Sequence, residues 1–320
     1  MNNIFVVGLS RSGTTLLTTI LDSHPDISMG YELIPAKLGS LKKLAQAIET
    51  TLRDGATSAR EVAKALPAAM DPACGVFIKR ATRAMVPPEL LVEVLEDFSN
   101  THTDHPRSIW ARTALAGAIV ACKQGIEGTK NAGFKVPITL VKELKKDAQN
   151  TIVIAVIRDP RDTYASQVSR NMTPSPNSFA RQWNGFASQI QTFRQRNFID
   201  LIIRYEDITT RLDETIEAIQ HTLGLPTIDG MRDFYASKAS VHAPGQKHVN
   251  AEALSQDVFD SSIDRWKNDI SEADAILIEQ VCKQNMRVLE YATNDAIKGR
   301  MLQGQNVFYR LTSIAKRLVR

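Results

Sequence analysis

Short apolar runs, far apart and separated by long stretches of helical spacing, set the pattern of this chain. Residues 4–8, 133–136, 151–157 and 198–204 are compact apolar segments. Each has the length and continuity of a strand buried on both faces. Between them the apolar positions recur every three to four residues, as on one face of a helix. Strands alternating with helices predict a parallel sheet covered by helices. Residues 35–128 carry the longest helical stretch, with "SLKKLAQAIETTL" and "PPELLVEVLEDF". This region is read as a helical insertion after the first strand–helix unit. The clearest loop is "SVHAPGQKHVN", within residues 240–267. No internal repeat appears, and the expectation is a single domain over residues 1–320.

Composition narrows this little. Of 320 residues 43% are apolar and 23% charged, as in an ordinary globular protein. The balance of 39 basic and 35 acidic residues gives a net charge of +4. That is too mild for nucleic acid and compatible with a small polyanionic ligand. Three scattered cysteines imply buried thiols in place of a disulfide framework. With no leader pattern and no apolar run long enough to span a bilayer, the expected location is the cytoplasm. The final "VFYRLTSIAKRLVR" is basic and amphipathic. It reads as a docked terminal helix or as a contact with a membrane surface.

The first chemical signal is "VVGLSRSGTTLL". A strand leads into a turn bracketed by Gly8 and Gly13, and a helix begins near Thr14. This is the spacing of a phosphate-cradling P-loop, whose backbone N–H groups and helix dipole bind anions. The fold expected is therefore an α/β P-loop three-layer fold with a central parallel sheet and a helical insertion. The lysine that follows the second glycine in nucleoside triphosphate loops is replaced by Thr14, followed by Thr15. Ser12, Gly13, Thr14 and Thr15 remain as anion donors, and Arg11 supplies a cation.

A second signal is "TIVIAVIRDPRDTYASQVSR". A strand ends at Arg158, Asp159 is placed to cap a helix and Pro160 takes its first position. Ser166 and Arg170 are four apart, predicted on one helix face. With Arg158 at the carboxyl end of its strand they compose a second phosphate pocket. The alternative is that the arginines pair with Asp159 and Asp162 on the surface.

Two phosphate sites on one sheet suit a nucleotide phosphorylated at both ends of its ribose. Here the chain resembles sulfotransferases that use 3′-phosphoadenosine 5′-phosphosulfate (PAPS). "RSGTT" is similar to the family's 5′-phosphosulfate loop, "RDPRDTYASQVSR" to its 3′-phosphate motif, and "RYED" at 204–207 to the element after it. Arg11, "SHPDISMGYEL" and "FKVP" resemble the tyrosylprotein and glycan branches. The resemblance implies that Glu32 accepts the acceptor's proton, while Arg11 and Lys135 stabilise the leaving phosphate. It implies donor contacts from Ser12, Gly13, Thr14, Thr15, Arg158, Ser166 and Arg170. Tyr205 is a further candidate, next to adenine, and Lys247 of "KHVN" another, in a loop closing over the nucleotide. It also implies adenosine 3′,5′-bisphosphate as product, no metal, and a hydroxyl acceptor, foremost a glycan, under the helical lid. Peptide tyrosine and a small metabolite are the other acceptors. The rival readings are a P-loop kinase and a PAPS-binding module without turnover. The "HTDH" at 102–105 reads as a solvated loop.

Overall fold

The computed structural model describes residues 2–147, 150–172, 175–237, 239 and 262–293. Most of the loop at 240–267, including Lys247, and the whole segment 307–320 lie outside the described residues. The chain forms two compact units, one of residues 1–158 and 189–263, the other of residues 159–188 and 264–320.

The larger unit is built on a five-stranded, wholly parallel sheet in the order β2-β3-β1-β4-β5. Its strands are β1 (Asn3–Val7), β2 (Ile27–Gly30), β3 (Asn131–Lys135), β4 (Thr151–Ile157) and β5 (Leu201–Arg204). β1 is central, with later strands added on both sides, so its carboxyl end is a switch point of the topology. Ligands of open α/β sheets bind at such points. β2 is an addition to the pattern read from sequence. Its four residues "ISMG" are too few to show a period. β5 starts at Leu201, because Phe198 is used in the preceding turn, edge-on to Phe193 at 5.7 Å.

Helix α1 (Thr14–Asp22) returns from β1 and lays Leu17, Ile20 and Leu21 on Ile4 and Val6. Helices α2 (Leu41–Arg53), α3 (Ala59–Ala65), α4 (Pro72–Arg83), α5 (Pro88–Thr101) and α6 (Ile109–Glu127) fill the expected insertion. Their ends follow local chemistry. Ser40 accepts from Lys43 N–H at 3.1 Å, Asp71 caps α4 ahead of Pro72, and α6 stops at Gly128 with φ of 67°. Helix α6 is fastened to the sheet by a buried cation. Lys123, 0% exposed, donates to Asp22 Oδ1 at 2.6 Å and to the Met29 carbonyl at 2.8 Å. The same Asp22 oxygen accepts Met29 N–H at 2.6 Å, so both sides of the β2 backbone at Met29 are held. Helices α7 (Val141–Asp147), α10 (Tyr205–Thr210) and α11 (Leu212–Leu223) also belong to this unit.

The smaller unit holds α8 (Pro160–Val168), most of α9 (Pro176–Gln195), α12 (Trp266–Asp269) and α13 (Glu272–Val288). Asp159 caps α8 by accepting Arg161 N–H at 2.8 Å, with Pro160 next, as the sequence predicts. Arg161 is structural: it pairs with Asp159 at 2.7 Å and Glu279 at 3.0 Å and lies over the Trp266 ring. Asp162 accepts the backbone N–H groups of Asp264 and Trp266 at 2.8 and 2.9 Å. All three cysteines are free thiols, and burial pushes Cys282 up to about 12. Among the described residues no helix is long and apolar enough to cross a membrane.

Candidate functional site

The loop after β1 is tight for a reason visible at its glycines. A Cβ on Gly8 would stand 2.5 Å from Thr14 Cγ2 and 2.9 Å from the Val156 carbonyl oxygen. Gly13 has φ of 94° and caps α1, and a Cβ there would meet the Tyr205 ring at 2.4 Å. Small residues are therefore demanded by sterics, and they keep the backbone open as a cradle. Ser12 donates its hydroxyl to the Leu9 carbonyl at 2.8 Å, which curls the loop. Among the described residues no side chain caps α1.

Arg11 stands in the left-handed region at φ of 71°. For a non-glycine residue that costs roughly 1–2 kcal/mol. The strain is held by Arg158, which donates to the Arg11 carbonyl at 3.3 Å. Arg158 is 5% exposed, lies 4.5 Å over the Tyr205 ring and also donates to the Ser262 carbonyl. Tyr205 in turn shares a 2.6 Å hydrogen bond with Ser262 Oγ. Arg158 and Tyr205 thus brace the loop after β1 from β4 and from the start of α10.

A lysine from another strand reaches Thr14. Lys135 ends β3, which pairs with β1 so that Lys135 is opposite Val6. Its Nζ donates to Thr14 Oγ1 at 3.2 Å. Burial lowers the Lys135 pKa, and the charge of Glu32 pulls it back up.

Glu32 follows β2 and is also left-handed, with φ of 51°. The neighbouring Tyr31 is 3% exposed and packs against Leu16 and Ala239, which anchors the turn. Burial, followed by the charge of Asp22, raises the Tyr31 phenol well above its ordinary value. Glu32 itself is exposed and meets Arg80 Nη2 of α4 at 3.1 Å. No sequence signal marked Arg80; its position opposite Glu32 exists only once the insertion has folded.

In the larger unit the structure therefore brings together the loop residues, Arg11, Lys135, Arg158 and Tyr205, with Glu32 electrostatically coupled to Lys135. In the smaller unit Ser166 is buried on α8, whereas Arg170 is exposed in the turn beyond its end at Val168. The predicted helix face shared by those two is not formed, because α8 stops before reaching Arg170. His102 of the "HTDH" stretch stacks on Phe98, and His105 lies 3.2 Å from Asp104.

A family model described as "Sulfotransferase family" matches residues 3–230. Among solved structures, the sulfotransferase domain from the Synechococcus PCC 7002 olefin synthase is similar at a TM-score of 0.60 and 16% identity, over 92% of this chain and 96% of that one. The sulfotransferase domain from the curacin biosynthetic pathway is similar at a TM-score of 0.51 and 14% identity, over 92% and 99% of the two chains. These structures share the fold. No curated protein matches the chain.

Proposed function

The chain belongs to the sulfotransferase family, and from that premise we propose that it moves the sulfuryl group of PAPS to a hydroxyl acceptor and releases adenosine 3′,5′-bisphosphate. The observation that carries this reading is Lys135 Nζ on Thr14 Oγ1 at 3.2 Å. It puts a positive charge over an anion loop that lacks its own lysine. The steric demand at Gly8 and Gly13 fits a phosphosulfate laid against bare backbone.

In this reading the N–H groups from Ser12 to Thr15, with the Thr14 and Thr15 hydroxyls, hold the 5′-phosphosulfate. Arg158, Ser166, Arg170, Tyr205 and Lys247 are the candidates for the rest of the nucleotide. The donor supplies a sulfuryl group on a good leaving group. Glu32 takes the acceptor's proton as the new O–S bond forms. Arg11 and Lys135 stabilise the electron pair left on the 5′-phosphate oxygen as the old S–O bond breaks. A carbohydrate hydroxyl is the acceptor we favour, on the motif resemblance to the glycan branch, with the insertion as its lid and the 240–267 loop closing over the nucleotide.

Thermal shift with adenosine 3′,5′-bisphosphate, AMP and ATP tests the donor half. The bisphosphate is expected to stabilise the protein most, since each charge-assisted hydrogen bond to a 3′-phosphate contributes about 1.5–3 kcal/mol. Equal shifts for AMP and the bisphosphate would refute it, and a dominant ATP shift would favour a kinase. Single-turnover assays with labelled PAPS on hydroxyl acceptors separate an enzyme that transfers from a module that only binds.

A further inference from the structure

Helix α4 carries two arginines one turn apart, Arg80 and Arg83, in the sequence "RATR". Arg80 makes the 3.1 Å ion pair with Glu32. Arg83 is half-buried, and its Nε is buried with no hydrogen-bond partner among the described residues. The charges of Glu32 and Arg80 both reach it, with opposite signs. Glu32 is also the acid that Lys135 feels. One exposed carboxylate is therefore shared by three cations, Arg80, Arg83 and Lys135. Burying a guanidinium donor unpaired is costly, and a guanidinium does not escape that cost by losing its proton at neutral pH. Such an excess is stable when a ligand brings the missing negative charge. The donor's own anionic groups belong to the loop and Lys135, whereas Arg80 and Arg83 approach Glu32 from the insertion.

We infer that the acceptor carries an anionic group (a carboxylate, sulfate or phosphate ester) close to its reactive hydroxyl, and that Arg80 and Arg83 bind that group. The inference rests on the sulfotransferase reading and names the substrate class for the same site. Two arginines at this spacing can offer parallel donors to a planar or tetrahedral oxyanion. As Arg80 turns to the acceptor's anion, it leaves Glu32, whose carboxylate is then available to the hydroxyl proton.

The test uses full-length protein saturated with adenosine 3′,5′-bisphosphate and matched acceptor probes. One pair is a glucuronate-containing disaccharide and its carboxyl-reduced counterpart; the other is 4-hydroxyphenylacetate and its amide. Calorimetry should show the acidic member of at least one pair binding about 10-fold or more tighter to wild type. Arg83→Gln and Arg80→Gln should each abolish that preference, and Arg83→Lys should retain part of it. In all three variants, affinity for the bisphosphate and the melting temperature should stay close to wild type. Neutral members binding as well as the acidic ones, no acidic member binding, or a preference that survives Arg83→Gln would each overturn the inference. Failure of wild type to bind the bisphosphate would instead sink the donor reading, so the two failures are distinguishable.

Discussion

Replacing Lys135 by methionine keeps a long stem and removes the ammonium, so it isolates the charge over the loop. In the unliganded protein the loss is the hydrogen bond to Thr14, about 1 kcal/mol. Against it stands the cost of burying the ammonium, which holds the Lys135 pKa below the usual lysine value. A lysine with a lowered folded pKa binds fewer protons when folded than unfolded in the interval between the two values, so stability rises with pH there. Below that interval the penalty is fully present in wild type and absent in Lys135→Met. The two effects oppose each other, and the variant should be within about 1 kcal/mol of wild-type stability.

Ligand binding should respond very differently. A charge-assisted hydrogen bond to the phosphosulfate contributes about 1.5–3 kcal/mol, or roughly 10- to 150-fold in affinity. Calorimetric titration of PAPS across neutral to alkaline pH reads this directly. Wild-type affinity should fall as pH approaches the lowered Lys135 pKa, because the protonated form binds the anion. Lys135→Met should start weaker and lose that pH dependence. Affinity and single-turnover rate both within about threefold of wild type would refute the role assigned to this cation. A stability loss of several kcal/mol would mark it as structural.

Three further outcomes follow from the geometry. Glu32→Gln should leave bisphosphate affinity unchanged and lower single-turnover transfer by about 10²–10⁴-fold, the usual cost of removing a general base. Gly13→Ala places a Cβ at φ of 94° and 2.4 Å from the Tyr205 ring; denaturant unfolding should show a loss of about 2–5 kcal/mol, combining left-handed strain and overpacking. Lys123→Met leaves the buried Asp22 uncompensated, and the same assay should show a loss of about 3–5 kcal/mol, partly recovered by adding Asp22→Asn.

The parts of the molecule legible in the sequence are those specified locally. The strand at β1, the glycine turn, the start of α1 at Thr14 and the Asp159–Pro160 helix start each depend on residues within one turn of chain. β2 escaped because four residues carry no usable period. The shared face of Ser166 and Arg170 assumed that α8 continues, but Ser169 caps it and the Arg170 N–H returns to the Gln167 carbonyl. Arg158 showed its strand-end position in the sequence, though not its bracing of Arg11 and Tyr205. Arg80 and Arg83 look like ordinary surface charges on an amphipathic helix. What sets them apart is proximity to Glu32, across nearly fifty positions of sequence.

The partner that Thr14 finds in Lys135 is 121 positions away, and under the proposed function this ties donor recognition to the order in which the protein assembles. A loop with its own lysine can grip phosphate once one strand, turn and helix have formed. Here β1 and β3 must meet across six intervening helices, a closure that is slow and non-local. Nascent or partly unfolded forms would hold the glycine turn without its cation and have weak affinity for the donor. Nucleotide would then act as a selective ligand of the finished sheet, adding about 2.7 kcal/mol at a hundredfold excess over Kd. A chain released before β3 is made would keep every residue of the glycine turn and still lack the lysine that meets Thr14.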